Sequence, residues 1–161
     1  MRAAILLATL LLARAVPALG EGAAKAPLTL VGPDRLELQV QSEDLQSLPP
    51  HRVHVAFLGP HGEEAADYDG VSLWDLLTDS SLIPPGPLKN HASLVVYVTG
   101  RDGWRAAVAA AEIDPEFEGK AVLLGHAAAA DPADAGALRL VVPGDRHGAR
   151  AVRDVVRIEV R

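Results

Sequence analysis

The pattern of side chains along this sequence predicts a single strand-rich domain of the α+β class with a few short helices. Two-residue alternation of apolar and polar residues recurs at 35–40, 51–57 and 138–161. Only 73–78 carries apolar residues at helical spacing. Length agrees, because residues 28–161 are enough for one domain around one core.

Ahead of that domain, residues 1–20 read as a signal peptide. Arg2 supplies the positive start, 3–12 an apolar stretch, and Ala18-Leu19-Gly20 the small residues that signal peptidase needs. The apolar stretch is too short to span a bilayer, and Arg14 interrupts its continuation, so stable membrane insertion is not expected. The mature chain is therefore expected to be periplasmic or secreted, with cleavage near Gly20. Residues 21–27 form a small-residue linker.

Within the domain, Leu28-Thr29-Leu30-Val31 predicts a first strand and Gly32-Pro33-Asp34 a turn. Leu36, Leu38 and Val40 alternate with Arg35, Glu37 and Gln39 as a half-buried strand. Ser42 is placed to cap a helical turn over 43–45, and Pro49-Pro50 ends it. A strand over 51–57 directs Val53, Val55 and Phe57 inward. Gly59-Pro60-His61-Gly62 is a loop leading to an acidic stretch, and Tyr68-Asp69-Gly70-Val71 reads as a turn. Ser72 then caps a helix to about Thr78 with Leu73, Leu76 and Leu77 on its apolar face. Pro84-Pro85-Gly86-Pro87 is an extended connection.

The apolar run 94–98 reads as a strand buried on both faces. Residues 99–103 turn it into a partner strand from Trp104 to Ala109, a hairpin. A helical turn over 110–114 is stopped by Pro115, 121–124 is a strand, and 126–136 is an Ala/Asp/Pro-rich loop. Leu138, Leu140 and Val142 lead to the Pro143-Gly144-Asp145 turn. The last strand directs Val156, Ile158 and Val160 inward against Arg157, Glu159 and Arg161.

Charge is distributed unevenly. The chain is acidic, with net charge −6, yet residues 137–161 hold six arginines against three acids. Overall acidity argues against nucleic acid as a partner. The basic connection between the last two strands is where an anion is expected. The absence of cysteine excludes disulfides, thiolate metal sites and cysteine nucleophiles. His51 and His54 are three residues apart on a strand and face opposite sides, so they cannot chelate together. His61 beside Glu63 and Glu64 reads as a solvated loop, and no metal site is expected. No serine lies in a G-x-S-x-G elbow, and no glycine-rich phosphate loop is present.

Three segments carry a family resemblance: the Leu138-to-Gly144 stretch LRLVVPG followed by Gly148-Ala149-Arg150, the turn from Asp44-Leu45 to Leu48-Pro49, and Tyr68-Asp69-Gly70-Val71 followed by Leu73 and Asp75-Leu76-Leu77. Together they resemble the molybdopterin-binding domain of the sulfite oxidase family over about residues 28–160. The resemblance implies a sulfite-oxidase-like fold and a loop holding the cofactor's phosphate, carried by Gly148, Arg150 and Arg153. The family's enzymes bind molybdenum through a cysteine in the region that is here Phe57-Leu58-Gly59-Pro60-His61, and this chain has none.

The resemblance therefore implies a short exported, non-catalytic module that binds a pterin or molybdopterin-like ligand without molybdenum. It would act as a ligand sensor for a membrane signalling enzyme, with the acidic residues of 63–79 available for that contact. The alternative it implies is a molybdopterin-dependent or degenerate oxidoreductase of the same family.

For the ligand, Arg139, Arg146, His147, Gly148, Arg150 and Arg153 are the anion-binding candidates; otherwise these arginines form a solvated surface paired with the acidic remainder. Trp104 is either a core plug or a platform for a heteroaromatic ring. Asp102, Glu112 or Asp114 could accept hydrogen bonds from ring N–H groups, with Glu112 and Asp114 preferred.

Overall fold

A computed structural model of the chain describes residues 27–59, 62–127 and 137–161. The expected signal peptide, nearly all of the expected linker, and most of the Ala/Asp/Pro-rich loop lie outside the described residues. Strand β1 (Leu28–Val31) is followed by β2 (Glu37–Val40), α1 (Ser42–Leu45), β3 (Pro50–Gly59), β4 (Gly62–Ser72), α2 (Leu73–Asp79) and α3 (Leu88–His91). Then come β5 (Val95–Gly100), β6 (Arg105–Ala109), α4 (Ala110–Ile113), β7 (Leu123–Ala127) and β8 (Arg139–Val141). A single 3₁₀ turn, Gly148–Arg150, precedes β9 (Val155–Val160).

The strands form two sheets. The five-stranded sheet has the order β2-β1-β9-β5-β6, and the four-stranded sheet β3-β4-β7-β8. Every pairing is antiparallel except β1 with β9. The last strand is thus inserted into the middle of the first sheet, between β1 and β5.

Helix α2 buries one stripe, Leu73, Leu76 and Leu77, and Ser72 caps its N-terminus by accepting from the Asp75 N–H at 3.2 Å. These leucines join Leu30, Val96, Val98, Val108, Leu140 and Ile158 in the main core. Leu124 and Leu140 face that core from β7 and β8, while their neighbours Leu123 and Val141 point the other way. There they meet Val55 and Tyr68 in a second, smaller cluster flanked by Val53, Phe57 and Ala66. The four-stranded sheet is therefore apolar on part of both faces.

Several expectations are corrected. The acidic stretch and the predicted turn at 68–71 are interior to an eleven-residue strand, β4. Two of the carboxylates that disfavour a strand there are matched across it by β3: Arg52 makes two hydrogen bonds to Asp69, at 2.6 and 2.7 Å, and His54 Nδ1 lies 2.8 Å from Asp67. Gly70 is in the strand because Gly125 of β7 approaches it too closely for a Cβ on either residue.

Leu36 and Leu38, expected inward, are 67% and 43% exposed, since β2 is an edge strand that the core does not reach under. Strand β5 buries alternate residues rather than both faces; Tyr97 lies on its outer side beneath the Arg105 guanidinium, 4.1 Å from the ring centroid. Val156 is only half-buried, whereas Ile158 and Val160 are buried as expected. The strand expected at 121–124 lies at Leu123–Ala127, and α3 was not anticipated.

Candidate ligand-binding cleft

The connection from Val142 to Asp154 leaves the edge of one sheet and enters the middle of the other. It passes over the end of β3, where Leu58 N–H donates to the Arg146 carbonyl at 2.9 Å and His147 bridges to Leu58. Gly148 presses on the Phe57 ring so tightly that a Cβ would come within 2.7 Å of it. Glycine is therefore required there by packing against an aromatic edge, a reason different from the phosphate contact that the resemblance implied.

Between this connection, the β3–β4 end and the β5–β6 turn lies an open cleft of about 410 Å³. Phe57, Leu58 and Trp104 supply its apolar walls; Arg139, Arg153 and His147 supply its basic groups, and Glu64 and Asp102 its acidic ones. Sequence reasoning had selected Trp104, Arg139, His147, Gly148 and Arg153, and the fold brings these five to one cavity.

Trp104 is 57% exposed, so it is not a core plug. Its indole N–H donates to the Ala149 carbonyl at 3.0 Å, which ties the β5–β6 turn to the 3₁₀ turn and fixes the ring at the cleft rim. Asp102 accepts from the Trp104 backbone N–H at 2.9 Å and so shapes the same turn.

Arg139 lies deeper. It donates from Nη1 to the Tyr68 hydroxyl at 2.9 Å, and its guanidinium carbon sits 5.5 Å from the ring centroids of both Phe57 and Tyr68. Its Nε is buried and has no hydrogen-bond partner. Among the described residues no carboxylate pairs with Arg139 or with Arg153. Cation–π contact with two rings offsets part of the cost of desolvating the guanidinium, but an unmatched buried donor still costs about 1–3 kcal/mol.

The remaining candidates lie elsewhere. Arg150 makes a fork of two hydrogen bonds to Asp145, at 2.9 and 2.7 Å, and reaches Glu112 at 3.2 Å. The Asp145 hydrogen bonds hold its guanidinium well above the ordinary range, against the opposing effect of burial. Burial pushes Glu112 up, but the hydrogen bond and charge of Arg150 outweigh that and hold its carboxyl below the ordinary value. Arg150, expected to hold an anion, and Glu112, expected to accept from ring N–H groups, are thus partners of each other and do not line the cleft.

Asp114 is 1% exposed, meets His91 Nδ1 at 2.8 Å and does not line the cleft. Arg146 is exposed and contributes its carbonyl to β3 without lining the cleft. Glu64 reads from the sequence as part of a solvated loop beside His61, not as a ligand-site residue. The signal for it was available in the alternation Glu64, Ala66, Tyr68, which puts a carboxylate in line with the second apolar cluster.

A sheet edge, a hairpin turn and a basic connection converging on one cleft belong to an α+β domain of the sulfite-oxidase-like fold. No protein-family model matches the chain, and no curated protein matches it significantly in sequence. Among solved structures, the sulfane dehydrogenase SoxCD from Paracoccus pantotrophus is similar, with a TM-score of 0.67 and 19% identity over 85% of this chain. This chain spans 38% of that neighbour's chain, and at such identity the likeness is one of fold. No helix among the described residues is long and apolar enough to cross a membrane, and no group of three or more metal-ligating side chains occurs among them.

The donor set of the cleft offers no thiolate, so it does not fit the metal of a molybdopterin cofactor as the resemblance describes it. It fits the organic part better: a flat wall at Trp104, an orphaned guanidinium at Arg139 and carboxylates for ring donors.

Proposed function

We propose that this chain is an exported, non-catalytic binding module whose cleft takes a small anionic heteroaromatic ligand of the pterin type. One observation carries the reading: Arg139, with a buried and unpartnered Nε, shares a cleft with the exposed ring of Trp104. A ring stacked on the indole face would place an acceptor within reach of Arg139 and Arg153, where charge-assisted hydrogen bonds are strongest. A membrane signalling partner that reads occupancy would find the cleft rim a suitable reporter, since the rim joins the β5–β6 turn to the 3₁₀ turn through the hydrogen bond from Trp104 to Ala149.

Titration of the mature protein with pterin-6-carboxylate tests this, using tryptophan fluorescence quenching and calorimetry. The expected result is saturable 1:1 binding that Arg139→Met weakens at least about ten-fold. Absence of binding, or wild-type affinity in that variant, would overturn the assignment.

The second reading, an oxidoreductase domain, has the fold likeness to SoxCD in its favour. Protein purified from its own host separates the two. Stoichiometric molybdenum supports the oxidoreductase, and an extractable fluorescent pterin without metal supports the binding module.

A further inference from the structure

Two unlike charges sit on the small-core side of the four-stranded sheet without meeting. Glu64 is the cross-strand partner of Phe57 and lies on the β4 face that also presents Ala66 and Tyr68 to the second apolar cluster. Alternation makes this an apolar position, yet it holds a half-buried carboxylate. The Glu64 side chain folds over Gly59 so closely that any Cβ on Gly59 would collide with it. Among the described residues no cation and no hydrogen-bond donor meets it.

Arg139 is the converse case, a guanidinium held against Tyr68 and Phe57 with no carboxylate. Both line the cleft and they form no ion pair with each other. A half-buried carboxylate and a guanidinium whose Nε is buried are each costly when unmatched. Their separation leaves room for a ligand that meets one at each end.

The charge balance of the walls sharpens this. Arg139 and Arg153 are opposed by Glu64 and Asp102, and Arg150, the residue best placed by sequence to clamp a phosphate, is held by Asp145 and Glu112. The cleft therefore has no net positive charge to offer a dianionic phosphate, and Glu64 would repel it. A carboxylate instead accepts two adjacent N–H donors side by side.

We infer that Glu64 reads an amino-bearing N–H edge while Arg139 takes a single anionic or accepting edge, so that the ligand is an unphosphorylated amino-heteroaromatic with at most one negative charge. This rests on the cleft being a ligand site, as proposed above.

Three probes test it on the mature wild-type chain and on Glu64→Gln: pterin-6-carboxylate, lumazine-6-carboxylate (the same ring with oxo in place of the amino group) and the phosphate ester of 6-hydroxymethylpterin. Wild type is expected to bind the first about ten-fold or more tighter than either of the others. Glu64→Gln, with an unchanged unfolding midpoint, is expected to bring the first two within about three-fold of each other and to improve the phosphorylated probe. Equal wild-type affinity for the amino and oxo probes, or tighter binding of the phosphate ester, would overturn the inference while leaving a ligand site in place. Failure of all three to bind would remove the site itself and the inference with it.

Discussion

Arg150 and Arg139 come from the same basic segment, yet they occupy opposite environments. Arg150 is forked onto Asp145 and shared with Glu112, so its charge is used within the fold. Arg139 has aromatic rings and a phenol for neighbours and a buried Nε without an acceptor. One arginine holds the connection down onto α4; the other leaves an unmet hydrogen-bonding demand at the cleft. Cation density in a sequence locates a basic segment, but the acids that the fold delivers from elsewhere decide which cations remain open to a ligand.

The contrast is broken most directly at Arg150. Arg150→Ala leaves the partly buried Asp145 without its cation and Glu112 with only Lys120 at 3.4 Å, and denaturant unfolding should show a loss of about 2 kcal/mol. Gly148→Ala should follow at about 1–2 kcal/mol, because the Phe57 ring must shift to admit the Cβ. That variant should also weaken binding, since Phe57 and Gly148 both line the cleft.

Arg139→Met, by contrast, should leave the denaturation midpoint nearly unchanged. Removing the unpartnered Nε offsets the loss of the hydrogen bond to the Tyr68 hydroxyl, so the clear effect should be on ligand affinity.

The pH dependence of stability sharpens the same point. Glu112 is held below its ordinary value of 4.5 by Arg150, after burial has acted in the other direction. Its contribution is therefore fully present above that value and is lost as pH falls through the lower folded value. Wild type should lose stability on acidification below about pH 4.5 more steeply than Arg150→Ala does, as acid titration of the unfolding midpoint would show. The smallest effect is expected at the exposed Arg52–Asp69 pair, where Arg52→Ala should leave the thermal midpoint essentially unchanged despite the 2.6 Å hydrogen bond.

Much of this arrangement was legible in the sequence, and the failures have physical causes. Strand β1, the capped helix α2, the β5–β6 hairpin and the Pro143-Gly144-Asp145 turn rest on local signals that tertiary structure had no reason to override. Strand β4 was hidden because Asp69 and Asp67 are met by Arg52 and His54 across the sheet, a pairing invisible to local propensity. Leu36 and Leu38 alternate correctly but sit where the core ends. For the cleft, Arg139, His147, Gly148 and Arg153 followed from motif and charge, and Trp104 from being a lone aromatic among small residues, read as either a core plug or a platform. Arg150 and Glu112 were misplaced because a side-chain pair 38 residues apart leaves no mark in either local segment.

The central position of β9 has a consequence for how the chain acquires its structure. Until residues 155–160 are available, the β1–β2 and β5–β6 hairpins are separate pieces, each with an open edge facing the other. Neither can pair correctly, because the strand that belongs between them is the last one made. The five-stranded sheet therefore closes late, through contacts of long sequence separation, which favours slow folding. Until it closes, two apolar edges stand open to pairing with another chain.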